Sequence, residues 1–260
     1  MARAIEISKV TKTYGQGRGK TVQALAQTDL SLRAGEFFSL VGPSGCGKST
    51  LLNILAGLLE PSSGTVTIGD AVVRKPNPAT SVVFQRASLL RWLTVHENVC
   101  LPSKINGRLD RAALERAEHY LEMAGLTGVA KRYPTELSGG MQQRASIVRA
   151  LVSDPDVLLM DEPFSALDEF TRETLQDELL RLWMDRPKTV VFITHHIAEA
   201  IYLSDRVGVM TTQPGALSAV VDVPFARPRT PSLRTDSDFY ALTVEIRHLI
   251  DQTPAVAKGA

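Results

Sequence analysis

Short apolar runs alternate with helical patterns along most of this chain. Glu36-Phe37-Phe38-Ser39-Leu40-Val41 reads as a buried strand. A Gly-rich turn follows, then an apolar helix through Leu51, Leu52, Ile54, Leu55 and Leu58 that stops before Pro61. Thr65-Val66-Thr67-Ile68 alternates as a half-buried strand does, after the turn Ser62-Ser63-Gly64. Residues 157–160 and 190–193 are apolar throughout, the pattern of parallel strands covered on both faces. Residues 207–210 predict another strand. From about 86 to 152 the pattern is helical. Asp110 predicts the cap of a helix with Leu109, Ala113, Ala117, Tyr120, Leu121 and Ala124 on one side, ended by Gly125. A second helix starts at Ser138 and carries Met141, Ala145, Val148 and Val152 inward. A helical insertion thus interrupts an α/β core. After about residue 222 comes Pro/Arg-rich text over 224–231, then a short amphipathic helix near 239–250 and a frayed end at 253–260. No internal repeat is visible, so the chain is one unit rather than a tandem duplication.

The 260 residues carry 29 Lys+Arg against 28 Asp+Glu, a net charge of +1. That balance argues against nucleic acid as a partner, since phosphate-backbone binding needs a basic surplus. With 44% hydrophobic and 22% charged residues, most of the chain is expected to fold. Cys46 and Cys100 lie far apart with no CxxC or Cys/His ligand spacing, which argues against a disulfide framework or a zinc site. MARAIEISKV has no signal-peptide apolar stretch, and no apolar run is long enough to span a bilayer. The expectation is a soluble, reduced, cytoplasmic protein.

Chemistry concentrates at three places. Gly42-Pro43-Ser44-Gly45-Cys46-Gly47-Lys48-Ser49-Thr50 fits G-x-x-x-x-G-K-[ST] between a strand and a helix. Its glycines let successive N–H groups curl toward phosphate oxygens. Lys48 adds a positive charge for the outer phosphates, and Ser49 offers a hydroxyl to Mg²⁺. Asp161-Glu162 ends the 157–160 strand, where a carboxylate faces the ligand crevice of a parallel sheet. Asp161 suits Mg²⁺ held through water, and Glu162 suits a general base for an attacking water. Ser138-Gly139-Gly140 opens a helix with two glycines, each costing about 1 kcal/mol against alanine. Close backbone approach explains them better than helix stability does. A second anion-binding helix end therefore follows the first by about ninety residues.

These segments in this order resemble the ATP-binding subunits of ABC transporters, over about residues 3–215. Residues 42–50 resemble the Walker A loop and 157–162 Walker B. Residues 137–142 resemble the LSGGQ signature, with Met141 where Gln is usual and Gln142 following. Gln85 resembles the Q-loop glutamine, Ser165-Ala166-Leu167-Asp168 the D-loop, His195 the switch histidine and Tyr14 the aromatic residue that stacks on adenine. The resemblance implies an α/β P-loop NTPase, an ABC-type nucleotide-binding domain. Its parts would be a mixed or parallel core sheet, an N-terminal antiparallel β part and an inserted α-helical subdomain. Domain bounds would be 1–221, with the insertion at about 86–152, and a C-terminal extension at 222–260.

The implied activity is ATP hydrolysis with Mg²⁺ in a head-to-tail homodimer. ATP lies between residues 42–50 of one copy and Ser138, Gly139, Gly140 and Gln142 of the other. Gln85 senses Mg²⁺ and water, His195 contacts the γ-phosphate, and Asp168 links the two sites. Integral membrane permease subunits would be gripped by the helical insertion and the Gln85 loop. That puts the chain at the cytoplasmic face of the inner membrane, held peripherally. A periplasmic or lipoprotein solute-binding protein would take part indirectly.

Phe84-Gln85-Arg86-Ala87-Ser88-Leu89-Leu90-Arg91-Trp92-Leu93-Thr94-Val95 resembles the text of nitrate, sulfonate and taurine importer ATPases, with Arg91 where proline is usual. The 227–250 tail also fits that branch. An exporter ATPase, or an ABC-type ATPase of a soluble complex, stays open as the alternative. His196 stands where the family commonly has Asp and has no assigned role; neither has the basic loop at 15–20.

Overall fold

A computed structural model describes residues 2–16, 20–212 and 214–252. The tip of the 15–20 loop and the 253–260 tail lie outside the described residues. In chain order come β1 (Ile5–Gln16), β2 (Lys20–Leu32), β3 (Phe37–Val41), α1 (Lys48–Leu55), β4 (Ser63–Ile68), β5 (Ala71–Val72) and β6 (Thr80–Val83). Next are α2 (Val95–Ile105), α3 (Arg111–Met123), α4 (Gly139–Val152), β7 (Val157–Asp161) and α5 (Glu169–Asp185). The chain continues with β8 (Thr189–Ile193), α6 (Ile197–Leu203), β9 (Arg206–Thr211), β10 (Ala216–Asp222) and α7 (Ser237–Asp251). It divides into two compact units, one of Arg3–Asn77 with the chain from Thr189 onward, the other of Pro78–Lys188.

The first unit holds two sheets. In one, the order is β2-β1-β4-β5 and every pairing is antiparallel. In the other, β3 runs parallel to both β8 and β9, and β10 is antiparallel to β9. All five residues of β3 and of β8 are buried, as the unbroken apolar text predicts for strands with both faces covered. Ser39 is the polar exception in β3, and its hydroxyl bonds that of Ser204. β1 is not regular along its twelve residues. Register shifts follow Ile7 and Val10, and Lys9 sits at φ 52°, a bulge tied by Lys9 N–H to the Asp29 carboxylate at 2.8 Å. Such a bulge breaks the period of two on which strand reading depends.

In the second unit β6 and β7 pair in parallel, and α2, α3 and α4 pack on one another between them in sequence. Each helix starts at a side-chain cap: Thr94 with Glu97 in a capping box for α2, Asp110 for α3, Ser138 for α4 and Asp168 for α5. The buried face of α3 is Ala113, Ala117, Tyr120 and Leu121. Leu109, expected on that face, precedes the cap and is 39% exposed. Met141 is only half-buried, because it stands in the first turn of α4 before the helix enters the core through Ala145, Val148 and Val152. Cys46 and Cys100 are buried and unbridged, and burial pushes the Cys100 thiol up. No helix among the described residues is long and apolar enough to cross a membrane.

Asn98 is a keystone of the second unit. Fully buried on α2, it accepts Leu90 N–H at 2.7 Å and donates to the Leu90, Leu93 and Thr94 carbonyls at 3.0 Å each. It thereby shapes the loop after β6, which carries Gln85. Asn98→Ala strands a buried N–H and is expected to cost about 2–4 kcal/mol. Urea unfolding measures that loss as a fall in transition midpoint.

Candidate nucleotide-binding site

β3 ends at Val41 and α1 begins at Lys48, so the loop between them must reverse into a helix within a few residues. Gly42 makes this possible. Its φ is 154°, and a Cβ there would lie 2.5 Å from the Met210 carbonyl oxygen on β9. The loop is backed from the other side by Gly215, whose own Cβ would meet the Cys46 carbonyl oxygen at 2.0 Å. Only bare backbone fits at either contact. α1 is preceded by Gly47, and no side chain caps its first N–H groups. α2, α3, α4, α5 and α7 all have a side-chain acceptor at that place. An uncapped start behind a glycine loop gathers backbone N–H groups and the positive helix end at one spot, an arrangement that suits an anion.

Lys48 lies almost wholly buried over the loop. Its Nζ donates to the Gly42 carbonyl at 2.8 Å and the Pro43 carbonyl at 3.0 Å, with Cys46 Sγ at 3.6 Å. The ammonium is thus pinned inside the curl of the loop, while Ser49 is exposed at the helix start. Tyr14, on β1 in the same unit, is 40% exposed, with Lys12 Nζ 5.3 Å from its ring centre. His195 follows β8 and is exposed, its ring tilted 39° against that of His196 with ring centres 4.1 Å apart. Thr194 sets that junction: its buried hydroxyl bonds Glu199 and accepts His196 N–H at 3.0 Å.

The second unit gathers the other candidates. Gln85 Nε2 donates to Ser165 Oγ at 3.0 Å, joining the loop after β6 to the loop after β7. Both loops are braced by arginines. Arg149 donates to the Ala87 and Ser88 carbonyls at 2.9 Å each, and Arg172 to the Leu167 carbonyl at 2.8 Å. Gln85, Gly139, Gln142 and Leu167 line one cavity of about 640 Å³ within this unit. Ser138 Oγ accepts Met141 N–H at 3.3 Å, so of the α4 start it is Gly139 and Gly140 whose N–H groups precede any partner in the helix. The Gln142 amide turns back to the Pro134 and Leu137 carbonyls at 3.0 and 3.2 Å, which fixes the turn before the signature. Asp168 caps α5 through Thr171 N–H at 3.0 Å, and this bond holds its carboxyl below the usual range. Asp161 ends β7, and Glu162 takes φ 45°, a left-handed conformation that costs on the order of 1–3 kcal/mol in a non-glycine residue.

The bracing residues were not anticipated from sequence. Arg149, Arg172 and Asn98 sit inside or beside ordinary helical patterns, with no local signal that their donors reach loop carbonyls. Gly215 had one, since Pro-Gly marks a turn, but its partner at Cys46 is remote in sequence.

A lysine-bearing glycine loop running from a buried strand into an uncapped helix defines a P-loop nucleotide-binding α/β protein. The family model for "ABC transporter" matches residues 25–165. An ATP-binding protein of Brucella abortus is 45% identical, with 96% of this chain and 94% of that one covered. The aliphatic sulfonates import ATP-binding protein SsuB of Bacillus thuringiensis is 40% identical over 93% and 94%. Among solved structures, the dimeric post-hydrolysis state of the cassette MJ0796 bound to ADP and Pi aligns with a TM-score of 0.72 and 34% identity. It covers 85% of this chain and all of that one. The chain belongs to the ABC transporter ATP-binding family and is an ATPase.

Gly42→Ala forces a Cβ against the Met210 carbonyl at a strained φ. It is expected to cost at least about 1–3 kcal/mol and to weaken ATP binding, read by thermal unfolding and by titration with a fluorescent ATP analogue.

Proposed function

We propose that this chain is the energy-coupling subunit of an importer for a small anion such as nitrate, a sulfonate or taurine, and that it works as a head-to-tail pair of identical copies. The observation that carries this reading is the pair of helix starts. One is uncapped and bears Lys48; the other opens with Gly139 and Gly140. A single copy has two places for phosphate oxygens, and a two-fold pair brings one of each to every substrate. Residues 1–221 form the ATP-binding domain, residues 86–152 its helical part, and 222–260 an extension.

ATP is the substrate, and the loop fits its phosphates. The curl at residues 42–50 has no room for a side chain at Gly42, presents N–H donors and carries a cation. Tyr14 offers a ring face to adenine. Lys48 exchanges loop carbonyls for phosphate oxygens. Glu162 takes the proton of the attacking water as the bond between the γ-phosphorus and the ADP oxygen breaks, and His195 donates to the γ-phosphate. Ser49, Asp161 and Gln85 would hold Mg²⁺ through the hard oxygen donors it prefers, and that ion would neutralise phosphate charge. Ser138, Gly139, Gly140 and Gln142 of the other copy close over the substrate, with Asp168 at the seam. Closing the pair on ATP and releasing it after cleavage is the motion passed on. The Gln85 loop and α2–α4 receive it for membrane permease subunits at the cytoplasmic face. A solute-binding protein delivers cargo from outside. The import relative in Bacillus thuringiensis and the long match to it support this branch.

Glu162→Gln is expected to slow turnover by at least about 100-fold and to hold the protein as a dimer with ATP. Gel filtration with ATP and phosphate release measure the two effects. A variant that hydrolyses as a monomer, at a rate independent of its concentration, overturns the reading.

A further inference from the structure

α6 spans only Ile197–Leu203, too short to be stable as an isolated helix. Its position therefore depends on what holds its two ends. At the start, Thr194 bonds Glu199 and His196 N–H. At the finish, two arginines from the Pro/Arg-rich text arrive. Arg229 Nη1 donates to the Ile201 and Tyr202 carbonyls at 2.8 Å each. Arg227 Nη2 donates to the Leu203 carbonyl at 2.6 Å. Three successive carbonyls at the helix end, which have no partner inside a helix, are thus satisfied by cations where the helix dipole favours them.

The arginines are themselves anchored. Arg229 is 8% exposed, and its Nε and Nη2 also donate to the Phe225 carbonyl at 3.3 and 3.1 Å. Burial draws its pKa down to about 10, so it stays charged at neutral pH. Arg227 Nε binds Asp205 at 2.9 Å, and Asp205 also accepts the N–H of Phe37, the first residue of β3. Tyr202 donates its hydroxyl to the Arg229 carbonyl at 3.4 Å, while the Arg234 guanidinium lies 3.7 Å from the Tyr202 ring centre. The extension therefore grips α6 and the root of β3 together, and β3 leads directly to the phosphate loop.

We propose that Arg229, with Arg227, is a positioning residue: the segment after β10 clamps the end of α6 and so fixes the β8–α6 junction that presents His195. This inference rests on the reading of His195 given above. If the clamp only added stability, its loss would lower the melting temperature and leave the folded enzyme's turnover alone. If it sets His195, its loss slows cleavage in protein that is fully folded.

The test is a double-mutant cycle of Arg229→Ala with His195→Ala. Turnover, KM for ATP and nucleotide affinity are measured at a temperature where circular dichroism shows every variant folded. Arg229→Ala is expected to lower kcat by about tenfold or more with KM within twofold, and Arg229→Lys to recover part of it. In the His195→Ala background the same change should have less than about a twofold effect. Multiplying effects in the cycle, or full turnover in folded Arg229→Ala, overturn the clamp alone. Full turnover in His195→Ala overturns the reading of His195, and the clamp with it. If Arg229→Ala does not fold, Arg229→Lys and Arg227→Ala, which removes the donor to the Leu203 carbonyl, carry the same cycle.

Discussion

A backbone N–H that neither a helix nor a side chain satisfies must find an acceptor, and the phosphate loop is organised around that demand. Among the described residues, five helices meet it with a Thr, Ser or Asp at their start. α1 and the short α6 have no side-chain cap, and of the two only α1 follows a glycine-rich loop. The rest of the site follows. A fully buried β3 delivers the loop to one place, the bare backbones at Gly42 and Gly215 let β9 and the approach to β10 press against it, and the Lys48 charge is stored on the loop's own carbonyls.

The same solution recurs wherever a functional loop must hold its shape. Loops lack the repeating ladder of hydrogen bonds that steadies strands and helices, so donors are brought in from neighbouring side chains. Asn98 and Arg149 serve the segment carrying Gln85, Arg172 serves the one carrying Asp168, and Arg227 and Arg229 serve the end of α6. Arginine suits this work because several donors in one plane reach two carbonyls at once. The strained φ of Glu162 belongs with these braces, since a conformation of that cost persists only where the surroundings impose it.

Where the text was locally consistent, the fold was legible. Continuous apolar runs gave β3, β7, β8 and β9, and the Ser138 and Asp110 caps stood where the helices begin. The glycine loop announced its own chemistry. What escaped were features that depend on distant partners. The Lys9 bulge makes β1 irregular, and Leu109 and Met141 fell at helix starts where the inward face is not yet established. The carbonyl braces were invisible because a lone arginine in a helical pattern reads the same whether its donors meet water or a loop a hundred residues away. The roles of Gln85, His195 and Asp168 came from family likeness, not from any physical signal those residues carry alone.

Neither cysteine faces solvent: Cys46 is fully enclosed beneath the loop, and Cys100 is nearly so. Thiol-directed reagents therefore meet a quiet background. A single cysteine installed on the surface, at Trp92 for example, would take a fluorophore or spin label by itself. Distance changes during the working cycle could then be followed without first altering the phosphate loop.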